Sequence, residues 1–210
     1  MGIGELEMWD KLYQENLDAF GLEPNDFLLE ALEFLKKSSD LPEDKSALVL
    51  ACGQGRNAFH LAQSDYRVTA IDRSKPAIAR AIEKSQDLNL DLRFLEEDLL
   101  KIESFPQSSL VLWCWFHAPQ GAKKEVFRKV HQCLKEGGVF IFEGLREENQ
   151  NYKNFGPPTK KLLFQLNELL EEFKDYQILI AQELDRELNE GLAQSGMAAV
   201  VQFLVKKPGV

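Results

Sequence analysis

Hydrophobic positions have helical spacing at the start of the chain, and afterwards short apolar runs alternate with helical patterns. Residues 5–20 and 25–37 are amphipathic with helical spacing and predict two helices. From residue 46 to residue 143, short apolar runs alternate with helical patterns. This alternation predicts a parallel sheet with a helix in each crossover, because consecutive parallel strands need a long connection.

The apolar runs are short and nearly continuous, as expected of parallel strands buried on both faces. Strands are predicted at residues 47–51, 66–71, 92–95, 110–115 and 139–143. Helices are predicted at residues 57–63, from a cap at Ser74 through Ile82, and at about residues 122–134, with Gly137 and Gly138 as the terminator of the last helix. Ligands of such sheets bind at the carboxyl ends of the strands.

The last quarter of the chain breaks this alternation. Residues 146–158 form a polar loop that is too long for a plain connection, and we predict that it is a lid. A leucine-rich helix follows at about residues 162–173. Residues 177–182 and 197–205, separated by a charged segment, predict an antiparallel pair at the sheet edge.

The predicted fold is α/β, a doubly wound and mostly parallel seven-stranded sheet with an antiparallel edge strand and N-terminal helices. We expect a single domain over residues 1–210. Residues 1–40 are its helical cover, residues 46–143 its cofactor-binding core, and residues 144–210 hold the lid loop, a helix and the last strands.

Composition and net charge indicate the class of protein and which partners are disfavoured. The 210 residues are 44% hydrophobic and 28% charged, which is typical of a soluble globular domain. The net charge of -9 disfavours nucleic acid as a partner, since affinity for phosphate backbones is largely electrostatic. We also expect no membrane partner and a cytoplasmic location, because the sequence shows no apolar run of spanning length and no signal segment.

Cysteine and histidine do not indicate a metal centre. The cysteines, at positions 52, 114 and 133, are too widely spaced for a metal cluster or a disulfide framework. The histidines, at positions 60, 117 and 131, lack the spacing of metal ligands on a helix. We therefore predict no metal.

The strongest functional signal is a glycine loop between the first predicted strand and the next helix. Gly53 and Gly55 stand where a side chain would hold the backbone away from a ligand, and the amides of the helix start can bind that ligand. Asp72 ends the second strand, where an acidic residue binds the ribose of a nucleoside cofactor. NAD(P) and S-adenosylmethionine both contain such a ribose, so these residues leave both cofactors open.

The rest of the chain favours S-adenosylmethionine. A short-chain dehydrogenase would need a Tyr-x-x-x-Lys pair, and no tyrosine of this chain has lysine four residues later. A hydride donor would therefore lack an obvious proton partner.

Residues 52–58 and 68–74 resemble the first two motifs of class I S-adenosylmethionine-dependent methyltransferases. The Gly-Arg-Asn-Ala extension at residues 55–58 is similar to the tellurite-resistance and thiopurine methyltransferase-like branch. Further similarities lie at residues 9–10 and 13, 137–140, 150 with 156–157, and 190–191 with 196. The resemblance implies a Rossmann-like methyltransferase that uses S-adenosylmethionine and acts on a small-molecule acceptor by in-line methyl transfer.

The same resemblance implies roles for individual residues. Gly53 and Gly55 would approach the methionine part of the cofactor, Asp72 would bind the ribose hydroxyls, and Asp98 with Leu99 would flank the adenine. The predicted cofactor-binding set is Trp9, Tyr13, Ala51, Cys52, Gly53, Gly55, Arg56, Asn57, Asp72, Arg73, Asp98, Leu99 and Trp115. The predicted catalytic residues, near the ends of the fourth and fifth strands, are His117 and Glu143.

Structural roles compete with several of these assignments. Trp9 and Tyr13 share one helical face and could be core residues, and Asp98 lies in an acidic run that is typical of a solvated surface. His117 could merely hydrogen-bond a loop, and Glu143 could be a carboxylate that holds one.

The chain departs from the resembled family at two places. Val49 and Ala51 precede the first glycine, where such enzymes usually carry an acidic residue, and we expect Val49 to weaken cofactor binding. Gln194 stands where the branch often has histidine, so we expect altered acceptor chemistry. Two alternatives stay open: a Rossmann-type NAD(P)-dependent oxidoreductase, and a non-catalytic S-adenosylmethionine-binding sensor or partner protein.

Overall fold

The computed structural model describes residues 3–16, 18–152 and 155–209. Its strands are β1 (Ser46–Leu50), β2 (Arg67–Asp72), β3 (Arg93–Glu96), β4 (Ser108–Cys114), β5 (Leu134–Leu145), β6 (Gln177–Asn189) and β7 (Ser195–Lys206). They form one seven-stranded sheet in the order β3-β2-β1-β4-β5-β7-β6. Strands β1 to β5 pair in parallel, and β7 pairs antiparallel with both β5 and β6. The predicted fold class is confirmed.

The helices begin at residues that suit helix starts. They are α1 (Ile3–Glu15), α2 (Asp26–Lys37), α3 (Arg56–Gln63), α4 (Lys75–Asp87), α5 (Gln120–Cys133) and α6 (Leu166–Glu172). The side chain of Asn25 caps α2 by accepting from Leu28 N at 3.0 Å, and Ser74 caps α4 as predicted. Within the described residues, none of these helices has the length and hydrophobicity of a membrane span.

Both faces of the sheet are buried, because helices cover each side. Trp113 and Phe142 belong to the core on one face, with α5 and α6 packed against them. Leu112, the neighbour of Trp113 in β4, belongs to the core on the other face, with α2 and α3. Alternate residues of a strand point to opposite faces. The central strands are therefore apolar at nearly every position.

Helix α5 ends within one residue of the predicted Leu134, but the two glycines expected to terminate it have another role. We expected Gly137 and Gly138 to terminate it, but α5 stops at Cys133 and β5 contains both glycines. Gly137 N donates to Lys207 O at 3.1 Å, and Lys207 N donates to Gly138 O at 2.8 Å. The glycine pair is thus held by the end of the antiparallel neighbour instead of capping the helix.

The last quarter contains longer strands and less helix than predicted. The charged segment at residues 183–189 belongs to β6, which pairs with β7 as far as Asn189 and Ser195. An edge strand tolerates charged side chains, since one side of it faces solvent. The predicted helix over residues 162–173 is reduced to α6, because Phe164 N instead donates to Leu145 O at 2.9 Å, beside β5.

The N-terminal segment packs against two other parts of the chain. Helix α1 lies along α4, where Ser74 Oγ donates to Asp10 Oδ1 at 2.7 Å. The next loop docks on the turn between β6 and β7, where Ala193 N donates to Ala19 O at 2.9 Å. In this contact a Cβ built on Gly191 would lie 2.2 Å from Gly21 N. The two backbones therefore meet where only glycine fits.

We expect Gly191→Ala to lower the free energy of unfolding by about 1–3 kcal/mol, because the new methyl overlaps backbone atoms and the residue has φ of 81°. Urea unfolding followed by circular dichroism measures this loss. The matched control is Gly121→Ala in α5, where a Cβ meets nothing within 4 Å and the protein should be unchanged or slightly stabilised. Equal stability of Gly191→Ala and the wild type would contradict the docking.

Candidate active site

A cavity of about 1200 Å³ opens at the carboxyl ends of strands β1 to β4. Ligands of doubly wound sheets bind at this edge, and the volume exceeds the roughly 300–1000 Å³ of ordinary ligand pockets. We call one part the β2 end, lined by residues 51–54, 72–73 and 97–99. The other part, the β7 end, is lined by residues 115–117, 145, 155–158, 162 and 193–194. The cavity has room for two ligands side by side.

The glycine loop shapes the β2 end through its backbone. The chain leaves β1 at Ala51 with φ of 50°, and Gly53 and Gly55 have φ of 53° and 93°. A Cβ on Gly53 would lie 2.8 Å from Tyr13 Oη, and a Cβ on Gly55 would lie 2.8 Å from Phe59. Glycine is therefore required at both positions, by conformation and by space. Gly53 lines the cavity, whereas Gly55 begins α3 behind it.

Asp72 connects the glycine loop to the end of β2. Its Oδ2 accepts from Gly53 N and its Oδ1 from Ser74 N, both at 2.8 Å. Burial raises the pKa of this carboxyl, while these amides oppose the rise. A carboxylate oxygen has a second lone pair, so Asp72 can still accept hydrogen bonds from a ligand in the cavity.

Asp98 and Leu99 line the cavity after β3 and are anchored from behind. Asp98 Oδ1 accepts from Leu100 N at 2.9 Å. The buried Lys129 of α5 donates to Leu99 O at 2.9 Å and to Leu100 O at 3.3 Å. The loop also meets β2, since Glu97 N donates to Asp72 O at 3.0 Å. Asp72 and Asp98 thus have fixed positions.

Aromatic residues of the N-terminal segment cover the cavity. The rings of Trp9 and Tyr13 stack with centroids 6.3 Å apart, and Phe20 lies within 6.1 Å of Trp9 and 5.9 Å of Tyr13. All three line the cavity, and all three also belong to a small hydrophobic cluster. They therefore have both a packing contact and a place at the cavity wall. Burial raises the pKa of Tyr13 well above its usual value, which keeps its hydroxyl neutral.

His117 lines the cavity, but its ring is already engaged. Its Nε2 accepts from Leu145 N at 3.0 Å, which uses the lone pair that a general base would need. Burial, together with the positive charge of Lys123, lowers the pKa of His117 to about 3. The imidazole is therefore neutral at physiological pH and holds the loop after β5.

Glu143 lies outside the cavity, within a buried group of ion pairs. Arg186 donates to both of its oxygens, at 3.0 Å and 2.8 Å, and Gln202 and Asn25 donate to one oxygen each. The Glu143 side chain is fully buried, and its oxygens already accept four hydrogen bonds. A substrate has no access to this carboxylate, and the geometry fits the structural alternative.

Glu190 extends the same group to the cavity wall. One of its oxygens accepts from Asn25 and Arg186, and the other accepts from Trp115 Nε1 at 2.8 Å and from Arg56. We call Arg56, Glu143, Arg186 and Glu190 the buried ion-pair cluster. Two negative and two positive charges cancel there, so each charge has a partner away from water.

The structure gathers most of the predicted residues around one cavity. The lining includes Trp9, Tyr13, Ala51, Cys52, Gly53, Arg56, Asn57, Asp72, Arg73, Asp98, Leu99, Trp115 and His117. Asn57 also accepts from Asn25 N at 2.8 Å, which ties α3 to α2. Gly55 and Glu143 do not line the cavity, and no group of metal-ligating side chains occurs in the described part of the chain.

The expectation about Val49 in the first motif changes with the structure. Val49 is buried in the core beside α2 and α3, so a carboxylate at this position would not reach the cavity. Ala51 is the residue that lines it. Sequence reasoning missed Arg186 and Phe20, for which the sequence carries no distinctive signal. It noted Glu190 and Gln194 as motif positions without assigning either to the cavity wall.

Comparison with known proteins agrees with this geometry. Residues 47–138, which hold the glycine loop and Asp72, match the family described as "Methyltransferase domain". This segment is similar to methyltransferase domains. YqeM of Bacillus subtilis, a methyltransferase by name, is 30% identical over 110 residues, which are 50% of this chain and 44% of that protein. These similarities support the predictions of a methyltransferase and of S-adenosylmethionine as its cofactor, and they favour neither alternative.

Solved structures extend the similarity in fold to nearly the whole chain. TehB from Haemophilus influenzae has a TM-score of 0.70 at 20% identity and covers 85% of this chain and 61% of that one. The N-methyltransferase NodS of Bradyrhizobium japonicum with bound S-adenosylhomocysteine has a TM-score of 0.71 at 14% identity and covers 97% and 98%. The chain spans less than half the length of its curated relatives from Bacillus and Geobacillus. The acceptor is therefore a question for the site itself.

We expect His117→Gln to flatten the pH dependence of stability. The folded pKa of about 3 lies below the ordinary value of about 6.5, so the unfolded chain binds the proton first as the pH falls. Stability from His117 is complete above pH 6.5 and is lost towards pH 3. Between pH 7 and pH 4 the wild type should lose on the order of 2 kcal/mol more than the variant.

Urea unfolding at both pH values measures this difference, and His60→Gln on α3 is the matched control. A glutamine oxygen can still accept from Leu145 N, so the fold should persist in the variant. Parallel pH profiles of the wild type and His117→Gln would show that His117 is not buried in its neutral form.

Proposed function

We propose that the protein transfers a methyl group from S-adenosylmethionine to a small-molecule acceptor that binds at the β7 end of the cavity. The observation that carries the proposal is Asp72. Its carboxylate is fixed by Gly53 N and Ser74 N at 2.8 Å and faces a cavity with room for a second ligand. This arrangement supports a nucleoside at the β2 end and an acceptor beside it.

The residues of the β2 end fit the proposed cofactor. Asp72 has lone pairs for the two ribose hydroxyls, and Asp98 and Leu99 offer an acceptor and an apolar surface for adenine. Gly53 leaves its backbone open towards the methionine part. A pyrophosphate is not needed to explain any of these groups, which supports S-adenosylmethionine over NAD(P).

Bound S-adenosylmethionine would supply an activated methyl group with a neutral thioether as its leaving group. The chain would contribute alignment of the acceptor behind the methyl carbon and a cavity closed to water by Trp9, Tyr13 and Phe20. Orientation of this kind can account for about 7–11 kcal/mol of a barrier. His117 has no free lone pair, so the proposed in-line transfer proceeds without a histidine base and His117 acts as a positioning residue.

The same proposal includes the class of acceptor, the location of the protein and its domain organisation. Similarity to the tellurite-resistance and thiopurine methyltransferase-like branch supports a small acceptor, and the lining of the β7 end bears on its chemistry below. The net charge of -9 disfavours a nucleic-acid acceptor. A cytoplasmic location and a single-domain organisation stay predictions.

Calorimetric titration with S-adenosylhomocysteine tests the cofactor. We expect Asp72→Asn to bind it about 10–100-fold more weakly than the wild type, since a hydrogen bond to a charged group contributes roughly 1.5–3 kcal/mol. The matched control is Asp91→Asn, an exposed residue before β3, which should bind as the wild type does.

Failure of the wild type to bind S-adenosylhomocysteine at millimolar concentration would contradict the proposal that the protein uses S-adenosylmethionine. Quenching of tryptophan fluorescence by a reduced nicotinamide cofactor would then favour the oxidoreductase. Binding without methyl transfer to any acceptor in a broad small-molecule panel would favour the non-catalytic sensor.

A further inference from the structure

Gln194 presents an amide to the cavity from the turn between β6 and β7. It lines the β7 end and its exposed fraction is 3%. The backbone of the turn is fixed, because Glu190 N donates to Gln194 O at 2.9 Å and Ala193 N donates to Ala19 O at 2.9 Å. The position of this side chain is therefore set by the buried ion-pair cluster on one side and the N-terminal segment on the other.

The side-chain amide of Gln194 has no hydrogen-bond partner among the described residues. Its Oε1 is buried and unbonded, and its Nε2 donates to no group of the described chain. The other buried amide side chains, Asn25, Asn57, Asn149 and Gln202, all have partners. Buried polar groups in native proteins are nearly always hydrogen-bonded. An exception in a residue that lines a cavity indicates a ligand group that pairs with the amide once the side chain turns towards the cavity.

The side chains that line the β7 end around Gln194 carry no formal charge at neutral pH. The β7 end is lined by aromatic and aliphatic side chains, including Phe116, Leu145, Phe155 and Leu162. Arg56, a cation on the cavity wall, is paired with Glu190. His117 is neutral there. These side chains therefore suit a neutral group, which needs no counter-charge from them.

We propose that the Gln194 amide recognises the methyl acceptor, and that this acceptor is a neutral, planar apolar molecule with an N–H and a C=O on one edge. The proposal rests on the proposed function and names its substrate class. An amide carries both a donor and an acceptor, so the Gln194 side chain can pair with such an edge in either orientation of its amide. Recognition itself moves no proton. In the proposed transfer the bond from the sulfonium sulfur to the methyl carbon would break and a bond from that carbon to a lone pair of the neutral acceptor would form. The positive charge would pass to the acceptor, and a proton on the methylated atom would leave to water on product release.

In this role Gln194 selects the acceptor, and its unpaired polar group lowers the stability of the ligand-free protein. Gln194→Leu keeps the size of the side chain and removes the two unbonded polar groups. The variant should therefore have a higher melting temperature than the wild type in the absence of ligands, by a few degrees. A structural glutamine would produce the opposite change.

The test uses 2-quinolone as the probe, with N-methyl-2-quinolone as its partner that lacks the N–H. Both are titrated into ¹⁵N-labelled protein saturated with S-adenosylhomocysteine. The side-chain amide resonances of Gln194 are identified by their absence from the spectrum of Gln194→Leu. The matched control is Gln107→Leu, an exposed residue before β4 at the opposite edge of the sheet.

We expect 2-quinolone to shift the Gln194 amide resonances and to bind at least tenfold more tightly than N-methyl-2-quinolone. In Gln194→Leu the two affinities should lie within twofold of each other, while Gln107→Leu should keep the wild-type ratio. Selenite should shift none of these resonances.

Absence of 2-quinolone binding, equal affinities in the wild type, selenite binding at Gln194, or a lower melting temperature of Gln194→Leu would each overturn the proposal. These outcomes are distinct from a failure of the proposed function, which would appear first as a failure to bind S-adenosylhomocysteine.

Discussion

The buried ion-pair cluster joins parts of the chain that would otherwise move independently. Glu143 belongs to β5, Arg186 to β6, Glu190 to the turn after β6, and Arg56 to the first turn of α3. Its charges balance, and Asn25, Gln202 and Trp115 satisfy the remaining oxygens. Removal of Arg186 would leave Glu143 without an ionic partner, and removal of Glu190 would leave Arg56 without one, at a cost of about 3–5 kcal/mol in each case.

The shape of the cavity follows from this cluster. Glu190 holds Trp115 and Arg56 at the cavity wall and fixes the turn that carries Gln194. The same turn receives the N-terminal segment through the contact of Gly191 with Gly21. The cover over the glycine loop therefore depends on a cluster in which Arg56 lines the cavity and the other three residues do not. Asp72, at the other end, joins its own loops by a separate pair of amide hydrogen bonds.

Local sequence signals predicted the fold and the β2 end well, and long-range contacts limited the rest. Apolar runs and the Gly53–Asp72 spacing depend on residues close in sequence, and these expectations agree with the structure. The terminator role expected for Gly137 and Gly138 was wrong, because Lys207, about 70 residues later in the chain, pairs with both glycines.

The same limit explains the misassigned side chains. Glu143 was a reasonable catalytic candidate at a strand end, but its partner Arg186 lies far away in sequence. The residues next to Gln194 in sequence do not show that its side-chain oxygen lacks a hydrogen-bond partner, because possible partners come from distant parts of the chain. Periodicity and motifs thus find a cofactor site more readily than the groups that select an acceptor.

The central claim is that a nucleoside cofactor occupies the β2 end and leaves the β7 end free for the acceptor. A crystal structure of the protein with S-adenosylhomocysteine tests it most directly. The account predicts ribose hydroxyls on Asp72, adenine beside Asp98 and Leu99, and the sulfur turned towards Trp115 and His117. Adenosine bound at Gln194, or outside the cavity, would contradict it.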